Sequence, residues 1–280
     1  MSTFTTISSD KLARLIGTAN GPALIDVRTE EDFAADRRLI PGSIKLSDET
    51  VTEWGGDFAG RRAVVSCFRG EKLAQGTAAW LRQLGVEAET LDGGFEGWKA
   101  AKLPLLDARK LPPRDAKGRT VWVTRARPKV DRIACPWLIR RFVDPNAVFL
   151  FVAPSEVEGV AEQFDAAPFD CEGVFWSHRA DQCSFDTMVD ELGLAGFEAL
   201  QHLRLVVRGA DTARPELAPQ CPGLVAASLG LSRMFADDHE QLEAGMVLYD
   251  ALYRWCRDAV DETHDWVSHQ PKAKKLAPAA

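Results

Sequence analysis

The chain has 280 residues, 46% of them hydrophobic and 27% charged, a globular composition long enough for two domains. No apolar stretch approaches the length of a membrane span, and Met1-Ser2-Thr3-Phe4-Thr5-Thr6 lacks the basic region and apolar core of a signal peptide, so the expected setting is cytoplasmic with no membrane partner. A net charge of −7 argues against general nucleic-acid binding, and six scattered cysteines without a C-x-x-C pair read as reduced thiols. The charge is segregated: eleven Lys/Arg stand against two acids between Arg109 and Arg141, while the chain beyond Phe142 is strongly acidic. That pattern suits an anion site or an electrostatic match between segments.

Ser8-Ser9-Asp10-Lys11 opens a short helix with Leu12, Leu15 and Ile16 on one face. Ala23 to Arg28 reads as a buried strand, and Thr29 caps a helix carrying Phe33. Ile40-Pro41-Gly42-Ser43-Ile44 is a turn into an extended segment. Ala63-Val64-Val65-Ser66 is a β-branched strand ending at Cys67, followed by a helix with Leu73, Thr77, Trp80, Leu81 and Leu84 at helical spacing. A further strand, Glu87 to Leu91, runs into Asp92-Gly93-Gly94-Phe95-Glu96-Gly97-Trp98. Strands alternating with helices imply a parallel α/β sheet, in which ligands lie at the carboxyl ends of strands, where Cys67 falls.

A strand that passes through a Gly-containing loop into a helix aims backbone N–H groups at the loop, and the helix N-terminus adds positive potential. With Arg69 and Lys72 alongside, that setting favours thiolate over thiol at Cys67 and makes it a nucleophile or persulfide carrier. The alternative is a buried structural thiol at a strand end, and the flanking charges and Gly70 weigh against it. Leu24-Ile25-Asp26-Val27-Arg28, Ile40 to Ile44, the Cys67 loop and Leu91 to Trp98 together resemble the successive motifs of rhodanese-homology sulfurtransferase domains. The resemblance covers residues 1–106. It implies that Cys67 accepts sulfur, that Cys67, Phe68, Arg69, Gly70, Glu71 and Lys72 form the persulfide cradle, and that Asp26 and Arg28 support it from the next strand. It also implies a small-molecule sulfur donor, a thiol acceptor and no cofactor for the transfer. Lys72 stands where many members carry arginine, which bears on donor preference, since lysine is a point charge and not a planar fork.

Residues 107–118, rich in prolines and charges without apolar periodicity, read as an extended linker. The second domain is placed at 119–268, with a flexible tail at 269–280. Thr120–Thr124 and Ala147–Val152 read as strands, and helices are expected at about 183–193, 196–208, 222–235 and 239–260. The fold class is therefore α/β, a rhodanese-like parallel sheet with flanking helices, plus a mainly helical α+β second domain. The stretches Trp122 to Phe142, Cys183-Ser184-Phe185-Asp186, Val207 to Asp211 and Tyr249 to Tyr253 resemble the C-terminal domain of the chromate-resistance ChrB family. In that family the preceding domain looks like a transcriptional regulator. Its replacement here removes the reason to expect operator binding, and the resemblance implies an association with chromate or oxyanion stress.

Two constellations stand out in this half. Arg125, Arg127, Lys129 and Arg132 crowd one segment, and adjacent guanidiniums hold a tetrahedral dianion bidentately; a solvated basic loop paired with the acidic remainder is the alternative. His178, Asp211 and Asp250 are candidate ligands of a divalent metal, with nearby Cys183 tilting the choice to zinc, although no spacing is diagnostic. Asp237 with Glu240 has the form of a helix capping box. Two functions follow: a sulfurtransferase using Cys67, or a non-catalytic protein that binds or senses an oxyanion or metal.

Overall fold

The computed structural model describes residues 6–262. The expected tail at 269–280, the end of the 119–268 domain past residue 262, His264 and His269 lie outside the described residues. Along the chain run β1 (Thr6–Ile7), α1 (Ser9–Ala13), β2 (Ala23–Asp26), α2 (Glu30–Ala35), β3 (Arg38–Leu39), β4 (Ser43–Lys45) and α3 (Val51–Trp54). Next come β5 (Arg62–Ser66), α4 (Lys72–Gln83), β6 (Glu87–Leu91), α5 (Gly94–Ala100) and β7 (Leu106–Asp107). The second half holds β8 (Val121–Arg125), α6 (Asp131–Phe142), β9 (Val148–Val152), α7 (Val157–Phe164), β10 (Ala167–Pro168), α8 (Ser184–Glu191), α9 (Glu198–Asp211), α10 (Cys221–Met234) and α11 (Asp238–Asp258).

The first sheet has the order β1-β6-β5-β2-β4, every neighbouring pair parallel. Its central strands, β2 and β5 beyond Arg62, are buried on both faces, as a sheet covered on both sides requires. Along β5 the side chains alternate. Ala63, Val65 and Cys67 pack toward Ala74, Ala78 and Leu81 of α4, while Val64 joins a second cluster containing Leu12, Phe95 and Trp98. That second cluster does not stop at the sheet. It continues through Trp137, Phe142, Phe185 and Tyr249, so one apolar core joins the two halves. The second half adds a small parallel sheet, β10-β8-β9, beside its helices. The four helices expected there are present within a few residues. Helix α7 and the two-residue β10 were not expected, since β10 is too short to show a period.

The stretch 107–118 is tied at both ends. β7 pairs antiparallel with β3, Lys110 reaches Glu191 at 2.9 Å, and Arg114 reaches the buried Asp144 at 3.3 Å. It straps the two halves together.

Because β2, β5 and β6 are parallel, the loops after Asp26, Ser66 and Leu91 gather at one edge. There the Cys67 loop lies directly on the turn before α5. Gly70 has φ +74° and Gly94 φ +58°, and a Cβ on Gly94 would stand 2.3 Å from Gly70 N and 2.4 Å from the Cys67 carbonyl oxygen. Both the left-handed backbone and the contact demand glycine.

In the second half, Asp186 anchors α8 to α9. It is fully buried and accepts from Arg204 Nε at 2.8 Å, Arg208 Nε at 2.7 Å and its own cap residue, Cys183 N, at 3.1 Å. Burial pushes this carboxyl up, but Arg208 and Arg204 outweigh it and hold it below the ordinary carboxylate range.

Two predictions follow from these anchors. Gly94→Ala lowers stability by about 1–3 kcal/mol in urea unfolding, while Gly76→Ala in α4, where a Cβ meets nothing within 4 Å, raises it by roughly 0.5–1 kcal/mol. Asp186→Asn removes the carboxylate that Arg208 and Arg204 share, leaving Arg204 paired with Asp190 alone, and costs about 1.5–3 kcal/mol at neutral pH. Since the native pKa of Asp186 lies below its unfolded value, its contribution is present above about pH 4 and lost as pH falls through the native pKa. The Asn variant should therefore show a shallower acid-unfolding profile by circular dichroism.

Candidate functional site

Cys67 sits at the end of β5 and is only 4% exposed, at the floor of its loop. The first turn of α5 turns that loop. Phe95 N donates to the Cys67 carbonyl at 2.9 Å and Glu96 N to the Phe68 carbonyl at 3.0 Å. With those carbonyls engaged, the amides of Phe68, Arg69, Gly70, Glu71 and Lys72 are left without an acceptor among the described residues. A run of amides at the start of α4 is an anion-binding nest. Arg69 lies 5.8 Å from the Phe68 ring; it and Lys72 are exposed and make no ion pair among the described residues. Glu71 occupies the cap position of α4 without a side-chain cap bond.

Asp26 and Arg28 brace this loop indirectly. The fully buried Arg28 guanidinium bonds Asp26 at 2.6 Å, donates to the carbonyls of Asp36 and Arg38, and stacks 3.9 Å from the Phe95 ring. Through Phe95, whose amide holds the Cys67 carbonyl, the pair fixes where the loop rests on α5.

The four basic residues grouped by sequence do not form one anion site. Arg127 turns away to the α10–α11 junction, donating to the carbonyls of Phe235, Ala236 and Ser232. Arg125 and Arg132 both point to Asp170, at 3.4 and 3.3 Å, and Lys129 shares neither set of partners. The basic strip is matched internally by carboxylates and helix-end carbonyls, because those acceptors fold back onto it.

His178 and Asp211 do come together, with Nε2 to Oδ2 at 3.2 Å. Asp250 does not join them. It bonds Arg141 at 2.7 Å and the Trp137 indole at 2.9 Å, a structural pairing that takes it out of the candidate ligand set. In its place stand two aspartates the sequence did not single out: Asp170 Oδ1 at 3.4 Å and Asp131 Oδ2 at 3.7 Å from His178 Nε2. Asp131, Asp170 and His178 each offer a ligand atom within 4.8 Å of the others. The signal missed at Asp131 was an acid among basic residues, at the first position of α6.

Hydrogen bonds to Asp170 and Asp211 push His178 up to about 10, and burial pushes Asp131 well above the usual carboxylate range. Cys183 caps α8 with its side chain beside Asp131; burial also raises its thiol, as it does that of Cys135. Asp237 caps α11 as expected, accepting from His239 N and Glu240 N. A cleft of about 940 Å³ lies between the halves beside Gly17, Lys45, Arg61 and Arg140, and is lined by neither the Cys67 loop nor the His178 cluster.

Known proteins match the two halves separately. The rhodanese-like domain family matches residues 8–101 and the ChrB C-terminal domain family matches residues 122–256. Protein ChrB of Cupriavidus metallidurans is 35% identical over 150 residues, 52% of this chain and 44% of that protein, so the chain spans less than half of that relative. Thiosulfate sulfurtransferase GlpE of Actinobacillus succinogenes is 31% identical over 112 residues, 39% of this chain and 97% of that protein. A crystal structure of a rhodanese-related protein from Thermoplasma volcanium aligns with TM-score 0.32 at 20% identity, covering 37% of this chain and 98% of that one. The chain belongs to the rhodanese-like family through residues 8–101, followed by a region, residues 122–256, that is similar to the ChrB C-terminal domain.

Proposed function

We propose that the chain is a rhodanese-type sulfurtransferase in which Cys67 carries the transferred sulfur as a persulfide. The observation behind this reading is the run of five amides, Phe68 to Lys72, left without an acceptor among the described residues beside a buried cysteine. The names of the thiosulfate sulfurtransferase relatives support thiosulfate as donor.

In the first half-reaction the Cys67 thiolate attacks the outer sulfur of thiosulfate. An Sγ–S bond forms, the donor S–S bond breaks, and sulfite leaves with its electron pair. The persulfide anion is met by the loop amides and the positive end of α4, which require no reorganisation as charge moves onto the outer sulfur. Arg69 and Lys72, exposed at the rim, draw in the anionic donor. In the second half-reaction a thiolate or cyanide attacks the outer sulfur, and Cys67 leaves as thiolate. The narrow exposure of Cys67 restricts both partners to small molecules or thin thiol side chains. The ChrB-type half ties the chemistry to chromate or oxyanion stress, an association that rests on the family match.

Wild-type protein should transfer sulfur from thiosulfate to cyanide and, after thiosulfate alone, gain the mass of one sulfur atom on the Cys67 peptide. Cys67→Ser should lose both. Arg69→Ala should keep the persulfide but lower kcat/KM for thiosulfate several-fold, on the order of 1 kcal/mol for one exposed charge. Equal transfer by wild type and Cys67→Ser would end the proposal.

A further inference from the structure

The second half carries a polar cluster that sulfur transfer does not use. His178 Nε2 faces three carboxylate oxygens, Asp211 Oδ2 at 3.2 Å, Asp170 Oδ1 at 3.4 Å and Asp131 Oδ2 at 3.7 Å. One ring nitrogen carries at most one proton, so at most one of these oxygens receives a full hydrogen bond from it. Asp131 is the sharper anomaly. Its residue is wholly buried, and its Oδ1 has no hydrogen-bond partner among the described residues. A buried carboxylate oxygen without a donor is costly unless the group takes up a proton or a cation supplies what the protein does not.

The spacing of three of these groups also fits a shared ion: ligand atoms of Asp131, Asp170 and His178 all lie within 4.8 Å of one another, and Asp211 Oδ2 stands beside them, 3.2 Å from His178 Nε2. The surrounding groups orient the carboxylates as outer partners of a metal site do. Ser184 Oγ donates to Asp170 Oδ1 at 2.7 Å, and Phe185 N to Asp131 Oδ2 at 3.2 Å. Charge is accounted for as well. Three carboxylates around a divalent ion retain one negative charge, and Arg125 and Arg132 stand against Asp170 to meet it.

We propose that Asp131, Asp170, His178 and Asp211 hold one divalent first-row transition-metal ion, Mn²⁺ or Fe²⁺ by the chemistry of the donors. Hard carboxylate oxygens with one imidazole suit these ions. The four donors come from the start of α6, the loop after β10, the segment before α8 and the end of α9. The ion would therefore pin together elements with no local reason to meet. His178, with its side chain 43% exposed, is the side from which the ion enters. This proposal is independent of the Cys67 chemistry.

The test uses the full chain, stripped with a chelator and titrated with Mn²⁺ while the electron paramagnetic resonance signal of aqueous Mn²⁺ is followed. The expected result is one Mn²⁺ bound per chain, displaced by Fe²⁺ under anaerobic conditions, with an accompanying rise in Tm. His178→Gln and Asp211→Asn, at positions not wholly buried, should each weaken binding at least tenfold while keeping the wild-type circular dichroism spectrum. Asp250→Asn and Cys67→Ser should bind as the wild type does, which separates this site from the Arg141 pair and from metal captured by the loop thiol. Wild-type protein that leaves both ions in solution, or His178→Gln and Asp211→Asn variants that bind as tightly as the wild type, would overturn the proposal.

Discussion

Phe142, the last residue of α6, holds the molecule together. Its ring is fully buried among Trp137, Phe197 and Tyr253, at centroid distances of 5.8, 5.3 and 5.6 Å. A Cβ on Gly17, across in the first half, would stand 2.2 Å from that ring, and Gly42 N donates to the Phe142 carbonyl at 2.5 Å. Ring, carbonyl and glycine together let the apolar face of the first sheet continue into the second half as one core. Aromatic burial of this kind contributes several kcal/mol at a single position, and truncating it would leave a cavity shared by both halves. The joined core is also why residues 107–118 run as a strap with bonded ends.

The two candidate sites use opposite devices at the edges of this core. At Cys67, the start of α5 engages carbonyls and leaves amides over, so the loop is rich in donors and suits an anion. Around His178, three carboxylates converge and leave acceptors over, so the cluster suits a cation. In each case the surplus arises from backbone that ordinary residues avoid. Gly70 and Gly94 adopt positive φ beside Cys67; Val130, Asp170 and Ala180 do so at or within two residues of the clustered Asp131, Asp170 and His178. A β-branched residue at φ +38°, as Val130 is, persists only where its surroundings hold it there. Tyr249 Oη and Ser228 Oγ do so, bonding its carbonyl and amide at 3.0 Å each.

How legible each site was depends on how far apart its parts lie along the chain. The Cys67 loop is nearly continuous in sequence: a β-branched strand, a short loop with a glycine, and a helix with apolar spacing. Its main partners, Asp26, Arg28 and the Gly93-Gly94 turn, sit at the ends of strands whose order a parallel sheet dictates. The helices of the second half were readable for the same reason, since an amphipathic period is a local property. The grouping of Arg125, Arg127, Lys129 and Arg132 failed because neighbours in sequence on a turn and a helix start point in different directions. Asp250 failed because Arg141, more than a hundred residues away, claims it.

The sequence by itself therefore determined the parallel sheet, the place of Cys67 at its carboxyl edge and the helical character of the second half, because periodicity, capping and turn residues act over a few positions. Only the tertiary structure decided which carboxylates gather around His178, where the basic side chains find partners, and that the two halves share one core. Those outcomes depend on contacts between segments tens of residues apart, and no local pattern in the chain records the direction in which a buried side chain will face.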